Sequence, residues 1–280
     1  MSITIRTFGE TDIDFAVAQT SREGWDNTPS AFRVCLAHDP DGCFIAEVGG
    51  RRAGMITTTC YECSAWIGNL IVTPHHRCRG IGRYLMEHAI GQIEARGIRT
   101  VRLEADPMGV RLYRRLGFID QFESPRFTKR PPHAVGPCPA ERLHAADLDA
   151  VAALDAACFG DDRRKLLAEL IGTSHTAYGV REQERIVGFA MALPAVCGIR
   201  LGPCVAENPS TAEQLVTAVL ADFPDETVIA AVPESNGRMT QLLETSGFTR
   251  TSSCLRMTRG EAQATCAATS LMTLADGAMG

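Results

Sequence analysis

The stretch that decides the fold is "NLIVTPHHRCRGIGRYLMEHAI", residues 69–90. It begins with apolar residues typical of a strand, passes through a loop that contains Gly80 and Gly82, and continues with apolar residues at helical spacing. Such a loop offers an anion the unpaired N–H groups of the helix start and the positive end of the helix dipole. Glycines let a phosphate approach the backbone, and Arg77, Arg79 and Arg83 add charge-assisted donors. The stretch therefore suits a pyrophosphate.

Neither of the two common nucleotide loops matches this sequence. The pattern G-x-x-x-x-G-K-[ST] is absent, and G-x-G-x-x-G fails because Leu85 stands where the third glycine is needed. Taken alone, R-x-x-G-x-G is equally typical of a tight surface turn. The surrounding elements must decide between the two interpretations.

The flanking sequence predicts a strand-rich unit followed by alternating helices and strands. Expected strands cover residues 43–48, 51–62, 65–73 and 100–105, and a helix of about four turns runs from Gly82 to Gly97. Asp106 is placed to cap, and Pro107 to open, a short helix that ends at Gly117. This order predicts an α/β unit with a right-handed parallel crossover.

Length and composition describe an ordinary soluble globular chain. The 280 residues suit two domains, and a net charge of −5 lacks the basic excess of a nucleic-acid binder. The N-terminus does not resemble a secretory signal, and no apolar run approaches the ~20 residues that span a bilayer. We expect a cytoplasmic protein without nucleic-acid or membrane partners. The composition says nothing about its oligomeric state.

The eleven cysteines are scattered among apolar neighbours, which is typical of free thiols in a reducing compartment. Cys60 and Cys63 form a C-x-x-C, but no second cysteine or histidine pair completes a zinc site. We therefore expect structural thiols and no metal.

An internal repeat divides the chain. "EVGGRRAGM" (47–55) is answered by "REQERIVGF" (181–189), and "LYRRLGF" (112–118) by "LLETSGF" (242–248). The first pair lies 134 residues apart and the second 130, so the second copy lacks about four residues in the interval that holds the glycine loop. The proline-rich stretch 124–139 between the copies predicts a domain junction, with Arg126, Lys129 and Arg130 as solvated linker charges. The expected domains are 1–130 and 138–280.

The motifs of the first copy resemble those of the GNAT N-acetyltransferase superfamily. The superfamily pattern L-x-V-x-P-x-x-[QR]-x-x-G-x-[GA] is matched by Leu70, Val72, Pro74, Arg77, Gly80 and Gly82, and its later L-Y-x-x-x-G-F by Leu112, Tyr113, Gly117 and Phe118. Asp106 replaces the usual asparagine and Gly109 the usual alanine. The resemblance implies an α/β (α+β) mixed sheet and two GNAT-like domains in tandem.

The same resemblance implies that acetyl-CoA is the co-substrate and lies between the splayed strands 65–73 and 100–105. Its pantetheine amides would pair with the backbone of Leu70, Ile71 and Val72. Its pyrophosphate would contact Arg77, Cys78, Arg79, Gly80, Ile81, Gly82 and Arg83. Tyr113 would be the general acid that protonates the departing thiolate, a role that a phenol can fill. The alternative for Tyr113 is an amphipathic helix residue with its hydroxyl at the surface.

The acceptor side is less well defined. An amine is mostly protonated at pH 7 and must lose a proton, for which Glu104, Glu62, His75 and His76 are candidates. Glu104 alternates with apolar residues and would equally fit a solvent-facing position. Trp25, in "GWDNTP", lies where this superfamily forms its substrate site, and it would equally fit the core.

The second copy has "GPCVAENPSTAEQLV" (202–216) where the glycine loop is expected. Ser210 and Glu213 form a capping box that would satisfy the helix start, and Glu207 adds negative charge where a phosphate would lie. Leu243 stands where the first copy has Tyr113. The second domain is therefore expected to be degenerate.

These observations predict an N-acyltransferase that moves acetyl from acetyl-CoA to a primary amine of a small molecule, an amino acid or a polyamine. No metal and no covalent enzyme intermediate are expected. A non-catalytic acyl-CoA sensor and a protein or peptide N-acetyltransferase are the alternatives. The end of the chain, residues 261–280, is either a final packing element or a mobile end.

Overall fold

A computed structural model describes residues 2–133, 140–233, 235–261 and 270–280. The strands are β1 (Ile3–Thr7), β2 (Phe44–Val48), β3 (Arg51–Cys60), β4 (Ser64–Val72), β5 (Thr100–Ala105), β6 (Ile119–Lys129), β7 (Glu141–Arg142), β8 (Thr176–Glu182), β9 (Arg185–Ala195), β10 (Gly198–Ala206), β11 (Val228–Ala231), β12 (Thr249–Gly260) and β13 (Leu271–Thr273). The helices are α1 (Ile13–Arg22), α2 (Pro29–His38), α3 (Ile81–Ala95), α4 (Pro107–Arg115), α5 (Leu148–Phe159), α6 (Arg164–Thr173), α7 (Pro209–Asp222) and α8 (Gly237–Thr245).

The strands of these ranges form one continuous mixed sheet in the order β1-β2-β3-β4-β5-β12-β6-β11-β10-β9-β8-β7, and β13 pairs with β10. The pairs β4–β5 and β10–β11 are parallel, and the other pairs are antiparallel. The prediction of a mixed α/β fold is therefore confirmed. No helix in the described part of the chain is long and apolar enough to cross a membrane.

The two halves of the chain exchange their last strands. Strand β12, from the second half, pairs with β5 of the first half, with Met257 opposite Leu103. Strand β6, from the first half, pairs with β11 of the second, with Phe127 opposite Ala230. The two exchanged strands also pair with each other. The sheet of each half is thus completed by the other half. The domain boundaries 1–130 and 138–280 stay a prediction.

The prediction of a linker is wrong for residues 124–129, which form the second part of β6. Ser124 and Phe127 are buried there. Pro125 argues against a strand in the sequence, because proline removes a ladder donor and is rare in the middle of a sheet. Its carbonyl oxygen nevertheless accepts a hydrogen bond from the Val232 N–H, 3.0 Å away. Residues 134–139 of the expected linker lie outside the described residues.

Corresponding helices cover one face of the sheet in both halves. Helix α3 packs on β3 and β4, and the apolar face predicted for it is buried, including Leu85, Met86 and Ile93. Helix α7 packs in the same way on β9 and β10. Its start differs from the prediction: the cap is Asn208, whose side chain accepts from the Thr211 N–H, and not Ser210.

The first half contains a gap between two parallel strands. Strands β4 and β5 pair only over Ser64–Ile67 and Thr100–Leu103. The pairing of β3 with β4 shifts register just beyond this point, and Asn69 adopts the left-handed backbone conformation with φ of 50°. A β-bulge of this kind bends a strand and re-aims its polar groups. The far end of β4 therefore diverges from β5 and leaves part of its backbone edge without a partner strand.

Candidate active site

A groove of about 580 Å³ follows the free end of β4. It lies between that strand, the loop before α3, and α4. Of the residues predicted to bind the cofactor, all except Arg79 line this groove: Leu70, Ile71, Val72, Arg77, Cys78, Gly80, Ile81, Gly82 and Arg83. Tyr113, Glu104 and Trp25 line it as well. The structure thus brings the predicted groups together, although their contacts with a cofactor remain predictions.

The loop before α3 has the geometry of an anion-binding turn. Gly80 occupies the N-cap position with φ of 83°, a conformation that favours glycine, and it has no side chain to cap the helix. Cys78 also has a positive φ, of 60°. The backbone N–H groups of residues 78–83 form no hydrogen bond with any residue that the structure describes. A row of free N–H groups at a helix start is the standard protein site for phosphate.

The three arginines of the turn differ in their contacts. Arg77 donates from Nε to the Val72 carbonyl, 2.9 Å away, and from Nη2 to Glu23. It therefore fixes the turn against β4 and the end of α1. Arg83 donates to Glu87 on the exposed side of α3, and Arg79 is exposed. All three add positive charge near the turn, but Arg77 and Arg83 already have carboxylate partners.

Tyr113 lies on the face of α4 that borders the groove. Its ring packs edge-on against Phe118, with 6.1 Å between the ring centroids. A Cβ atom at Gly109 would lie 2.5 Å from the tyrosine ring, so the glycine provides the space that the ring occupies. Burial, reinforced by the nearby Asp106 carboxylate, raises the pKa of Tyr113 and keeps the phenol protonated. The ring is partly buried and borders the groove, so the role of its hydroxyl as the general acid stays a prediction.

Glu104 does not face solvent, contrary to one of the two expectations. Its side chain is 2% exposed, and its Oε1 accepts hydrogen bonds from Ser124 and from Nε of Arg256. Its Oε2 has no hydrogen-bond partner within the described residues, and the nearest cation is Nη2 of Arg126 at 3.8 Å. Glu104 is thus a buried carboxylate at the edge of the groove, and its Oε2 accepts no hydrogen bond from the described residues.

The other candidate bases are less well placed. Glu62 and His75 are exposed and border neither the groove nor the adjoining cavity described next. His76 borders the groove, and its Nδ1 lies 2.9 Å from the Thr73 hydroxyl. Glu104 therefore has the best position of the four, although its role as a base stays a prediction.

A second cavity, of about 300 Å³, adjoins the groove and is enclosed by both halves of the chain. Its first-half wall includes Asp26 and Arg126, and its second-half wall includes Arg200 and Asp276. The groove and this cavity have five lining residues in common: Trp25, Gly68, Asn69, Glu104 and Asp106. The two spaces therefore meet where β4 and β5 diverge.

Trp25 stands at this meeting point. Its Nε1 donates to Oδ2 of Asp106, 2.8 Å away, and one side of the residue packs on the apolar core. Trp25 thus packs on the core and also borders both spaces, and its contact with a substrate stays a prediction. Asp106 stands at the N-cap position of α4 but makes no side-chain capping bond, so its predicted capping role is wrong. Its carboxylate holds the tryptophan instead.

Sequence reasoning does not identify four charged residues of the second cavity: Asp26, Arg126, Arg200 and Asp276. The prolines around Arg126 conceal its strand and make the sequence resemble a linker. Asp276 belongs to the end of the chain, where residues 270–280 pack against the first half; Met279, for example, accepts a hydrogen bond from the Tyr61 hydroxyl. Arg200 reaches the cavity only because β10 and β4 belong to one sheet. A local pattern carries no information about such distant neighbours.

The corresponding place in the second half is closed. In the first half Val72 pairs with Gly54, and in the second half Ala206 pairs with Gly188. Each residue of the second pair lies 134 positions after its counterpart, so residues 204–206 of β10 correspond to Leu70–Val72 of β4. Strand β13 pairs with these same residues, and therefore covers the backbone edge that is free in the first half. Glu207 is paired with Arg185, and Leu243 is buried where Tyr113 would stand.

Among the described residues, no cluster of His, Cys, Asp or Glu side chains could hold a metal ion. Cys60 ends β3, and Cys63 is exposed in the following turn. The site is built from backbone groups, one phenol, carboxylates and arginines. It is suited to binding a phosphate-bearing thioester and moving protons.

Two family models match this chain, and both describe an acetyltransferase (GNAT) domain. One covers residues 39–120 and the other residues 151–272. The chain therefore belongs to the GNAT acetyltransferase family, with two such domains in tandem, and it is an N-acetyltransferase. The predicted family and enzyme class are confirmed.

Relatives extend over most of the chain. Holothin acyltransferase of Pseudoalteromonas sp. is 23% identical over 89% of this chain and 83% of its own length. The uncharacterized N-acetyltransferase YitH of Bacillus subtilis is 25% identical over 76% of this chain and 70% of its own length. The crystal structure of a putative acetyltransferase from Pyrococcus horikoshii has the same fold: the TM-score is 0.86, with 24% identity over 99% of this chain and 96% of that one.

Proposed function

We propose that this protein transfers the acetyl group of acetyl-CoA to a primary amine of a small molecule, and that the reaction takes place in the first half. The observation that supports this most strongly is the junction of two spaces. An open groove with an anion-binding turn meets an enclosed cavity at Asn69, Glu104 and Asp106. A cofactor and an acceptor could thus approach each other from opposite sides of the β4–β5 gap. A cytoplasmic location is part of the proposal.

In this proposal the cofactor follows the groove. The pyrophosphate accepts hydrogen bonds from the free N–H groups of residues 78–83, where the α3 dipole adds to the attraction. The pantetheine amides pair with the free edge at Leu70–Val72, as an added strand would. The thioester then lies near Asn69, beside Tyr113.

The chemistry requires three proton transfers. The acceptor ammonium first gives up a proton to Glu104, whose Oε2 has no hydrogen-bond partner among the described residues, directly or through water. The neutral nitrogen then attacks the thioester carbonyl and forms the C–N bond, and the C–S bond breaks as the tetrahedral intermediate collapses. Tyr113, whose raised pKa keeps it protonated, donates its proton to the leaving thiolate, and the second proton of the amine nitrogen passes through water to restore the phenol. Asp106 holds Trp25 in the wall of the acceptor cavity.

The second cavity favours a small acceptor. Its volume of about 300 Å³ and its two-sided enclosure suit a small molecule better than a folded protein. Four carboxylates line it against two arginines, an excess that attracts a protonated amine: Asp26, Glu104, Asp106 and Asp276, with Arg126 and Arg200. The relative named holothin acyltransferase is consistent with a small-molecule acceptor.

The proposal is tested by two measurements on the full chain. Isothermal titration calorimetry should show one acetyl-CoA site per chain. A thiol-release assay with acetyl-CoA, over a panel of amines, amino acids, polyamines and peptides, should show turnover with at least one small amine. Propionyl-CoA and succinyl-CoA in the same assay report the acyl preference.

Each negative result has a distinct meaning. If acetyl-CoA does not bind, the assignment of the groove is wrong. If acetyl-CoA binds and no acceptor releases thiol, the result favours the acyl-CoA sensor. Turnover with peptides alone would replace the small-molecule acceptor with a protein N-terminus or lysine.

A further inference from the structure

Arg126 has an unusual position in the second cavity. It lies on the exchanged strand β6, between β11 and β12, and its side chain is only 21% exposed. Nη2 donates to the Cys254 sulfur, 3.5 Å away, and lies 3.8 Å from Oε2 of Glu104. Its Nε and Nη1 donate to no residue within the described ranges. A largely buried guanidinium thus has several unused donors beside an open space.

The charges around Arg126 do not balance. Glu104 is already paired with Arg256, whose guanidinium is buried over the Trp66 ring with 4.2 Å between the charge centre and the ring centroid. Two arginines therefore share one carboxylate. Cys254 does not supply the missing negative charge, because burial raises the pKa of its thiol and keeps it neutral. Arg256 does not border the cavity, so of the two arginines that share Glu104, Arg126 is the one that a ligand in the cavity could reach.

The other arginine of the cavity is different. Arg200 lies between two carboxylates, 3.4 Å from Asp26 and 3.5 Å from Asp276. Its charge is therefore more than balanced, and an anion approaching it would meet both aspartates. Arg126, by contrast, has one acidic partner within 4 Å among the described residues, Glu104, which it shares with Arg256. Buried charges are costly unless a partner is present, and a bound anion would supply one.

We propose that the acceptor carries a carboxylate close to its amine, as an α-amino acid does, and that Arg126 binds this carboxylate. This inference rests on the proposed function and specifies its acceptor. The planar guanidinium fork matches the two oxygens of a carboxylate. Glu104 lies beside Arg126, so a molecule that places its carboxylate on Arg126 has its ammonium next to the free Oε2 and directed toward the groove. The remainder of the acceptor extends between β6 and β11.

The test compares matched acceptors that differ only in the carboxylate. The full chain is assayed by thiol release with phenylalanine and phenethylamine, histidine and histamine, and lysine and cadaverine, together with phosphoethanolamine. We expect kcat/KM to be about 10- to 100-fold higher for the preferred amino acid than for its decarboxylated partner, since charge-assisted hydrogen bonds are lost in the latter. Arg126→Gln should raise KM for the amino acid by about the same factor and leave the decarboxylated amine unchanged.

Control variants separate recognition from folding. Acetyl-CoA affinity, measured by calorimetry, should be the same in Arg126→Gln as in the wild type. Arg130→Gln removes a nearby exposed arginine that does not border the cavity, and it should leave the preference intact. Arg126→Lys keeps the charge without the fork and should retain a reduced preference; if Arg126→Gln does not bind acetyl-CoA, this variant decides the question.

Several results would overturn the inference without affecting the proposed function. These are a wild-type preference for the decarboxylated amines, an equal loss for both members of a pair in Arg126→Gln, an unchanged preference in Arg126→Lys, or a preference for phosphoethanolamine over every amino acid. By contrast, a wild-type protein that neither binds acetyl-CoA nor releases thiol with any acceptor would refute the proposed function itself.

Discussion

The two halves of this protein share one architecture, but among the described residues the strand edge that borders an open groove in the first half is covered in the second. Each half contains a β-meander, a helix that covers it and a parallel strand pair that separates after a short stretch. In the first half the free edge of β4 borders an open groove. In the second half β13 lies along the equivalent edge of β10.

The difference shows how few changes abolish such a site. The second half has a self-capped helix at Asn208, an added strand β13 and a leucine in place of the tyrosine. It nevertheless supplies one wall of the second cavity through Arg200 and Asp276. Loss of its own groove is therefore compatible with a role in the active site of the first half.

The largest expected effect is a loss of acetyl-CoA affinity when a negative charge is placed at the start of α3. The same change at the equivalent position of α7 serves as the comparison. Gly82 and Ser210 are both the second residue of their helices, α3 and α7. Gly82→Asp should weaken acetyl-CoA binding about 100-fold or more, because the carboxylate occupies the phosphate position. A Cβ atom there meets only Val72 and Leu112 at ordinary distances, and acidic residues favour a helix start, so the fold should persist.

Ser210→Asp is the matched control and should leave acetyl-CoA affinity unchanged. Gly82→Ala tests the added volume without the charge. Calorimetry measures all three affinities. Comparable affinities for Gly82→Asp and wild type would show that the pyrophosphate does not bind this turn, and a loss in Ser210→Asp would show that the second half binds cofactor.

The next effect concerns Tyr113, which the second half replaces with Leu243. Tyr113→Phe should lower kcat about 100-fold while KM for acetyl-CoA stays nearly constant, because only the proton donor is removed. Tyr84→Phe, on the exposed side of α3, is the control and should retain full activity. Steady-state thiol release measures both variants. Equal kcat in Tyr113→Phe and wild type would exclude the tyrosine as the acid.

Burial raises the pKa of Tyr113, so the pH profile offers a second check on the same residue. The protonated phenol is the form required for catalysis, and it persists above the ordinary tyrosine pKa near 10. The wild-type kcat should therefore show no loss attributable to this group up to about pH 10. A fall in kcat that disappears in Tyr113→Phe would contradict the assignment.

Hydrogen exchange should separate the two strand edges. In the protein without acetyl-CoA, the amides of residues 204–206 that face β13 should exchange slowly, whereas those of Leu70–Val72 that face the groove should exchange fast. Acetyl-CoA at 100 times its Kd should slow the groove-facing amides up to about 100-fold and leave residues 204–206 unchanged. Slowing at both edges would mean that β13 gives way to a second cofactor.

The smallest effect is on the free energy of unfolding, and it concerns two aspartates at the starts of equivalent helices. Asp12 accepts from Arg6, Arg52 and the Gly9 N–H, and these contacts lower its pKa to about 2. Its contribution to stability is present above the ordinary pKa near 3.8 and is lost as the pH falls toward 2. Asp147 accepts from Arg181 and the His144 N–H at a more exposed position.

Asp12→Asn should therefore lower the free energy of unfolding by about 1 kcal/mol at neutral pH, allowing for the partial exposure of its arginine partners. The difference from wild type should shrink as the pH falls below 4. Asp147→Asn should have a smaller effect. Urea unfolding at several pH values measures these energies, and a larger or pH-independent effect at Asp147 would reverse the comparison.

Much of the fold and of the cofactor groove could be predicted, because their signals are local. The helix after Gly80, the strands around it and the position of Tyr113 follow from spacing within about 50 residues. The exchanged strands could not be predicted, since β6 and β12 have the same local pattern whichever half they complete. Arg126 and Asp276 were missed for the same reason, because their neighbours in the cavity lie far away in the chain.

Because β6 and β12 are exchanged between the two halves, this chain resembles a strand-swapped dimer whose two subunits are joined in one polypeptide. A fragment ending near residue 130 would expose the edge of β5 and leave its own β6 without a partner sheet, and such edges promote association. It would also lack Arg256, which pairs with Glu104. Within one chain each half instead finds its missing strand at high effective concentration. We therefore expect activity to require both halves, although the groove itself is lined by residues of the first half.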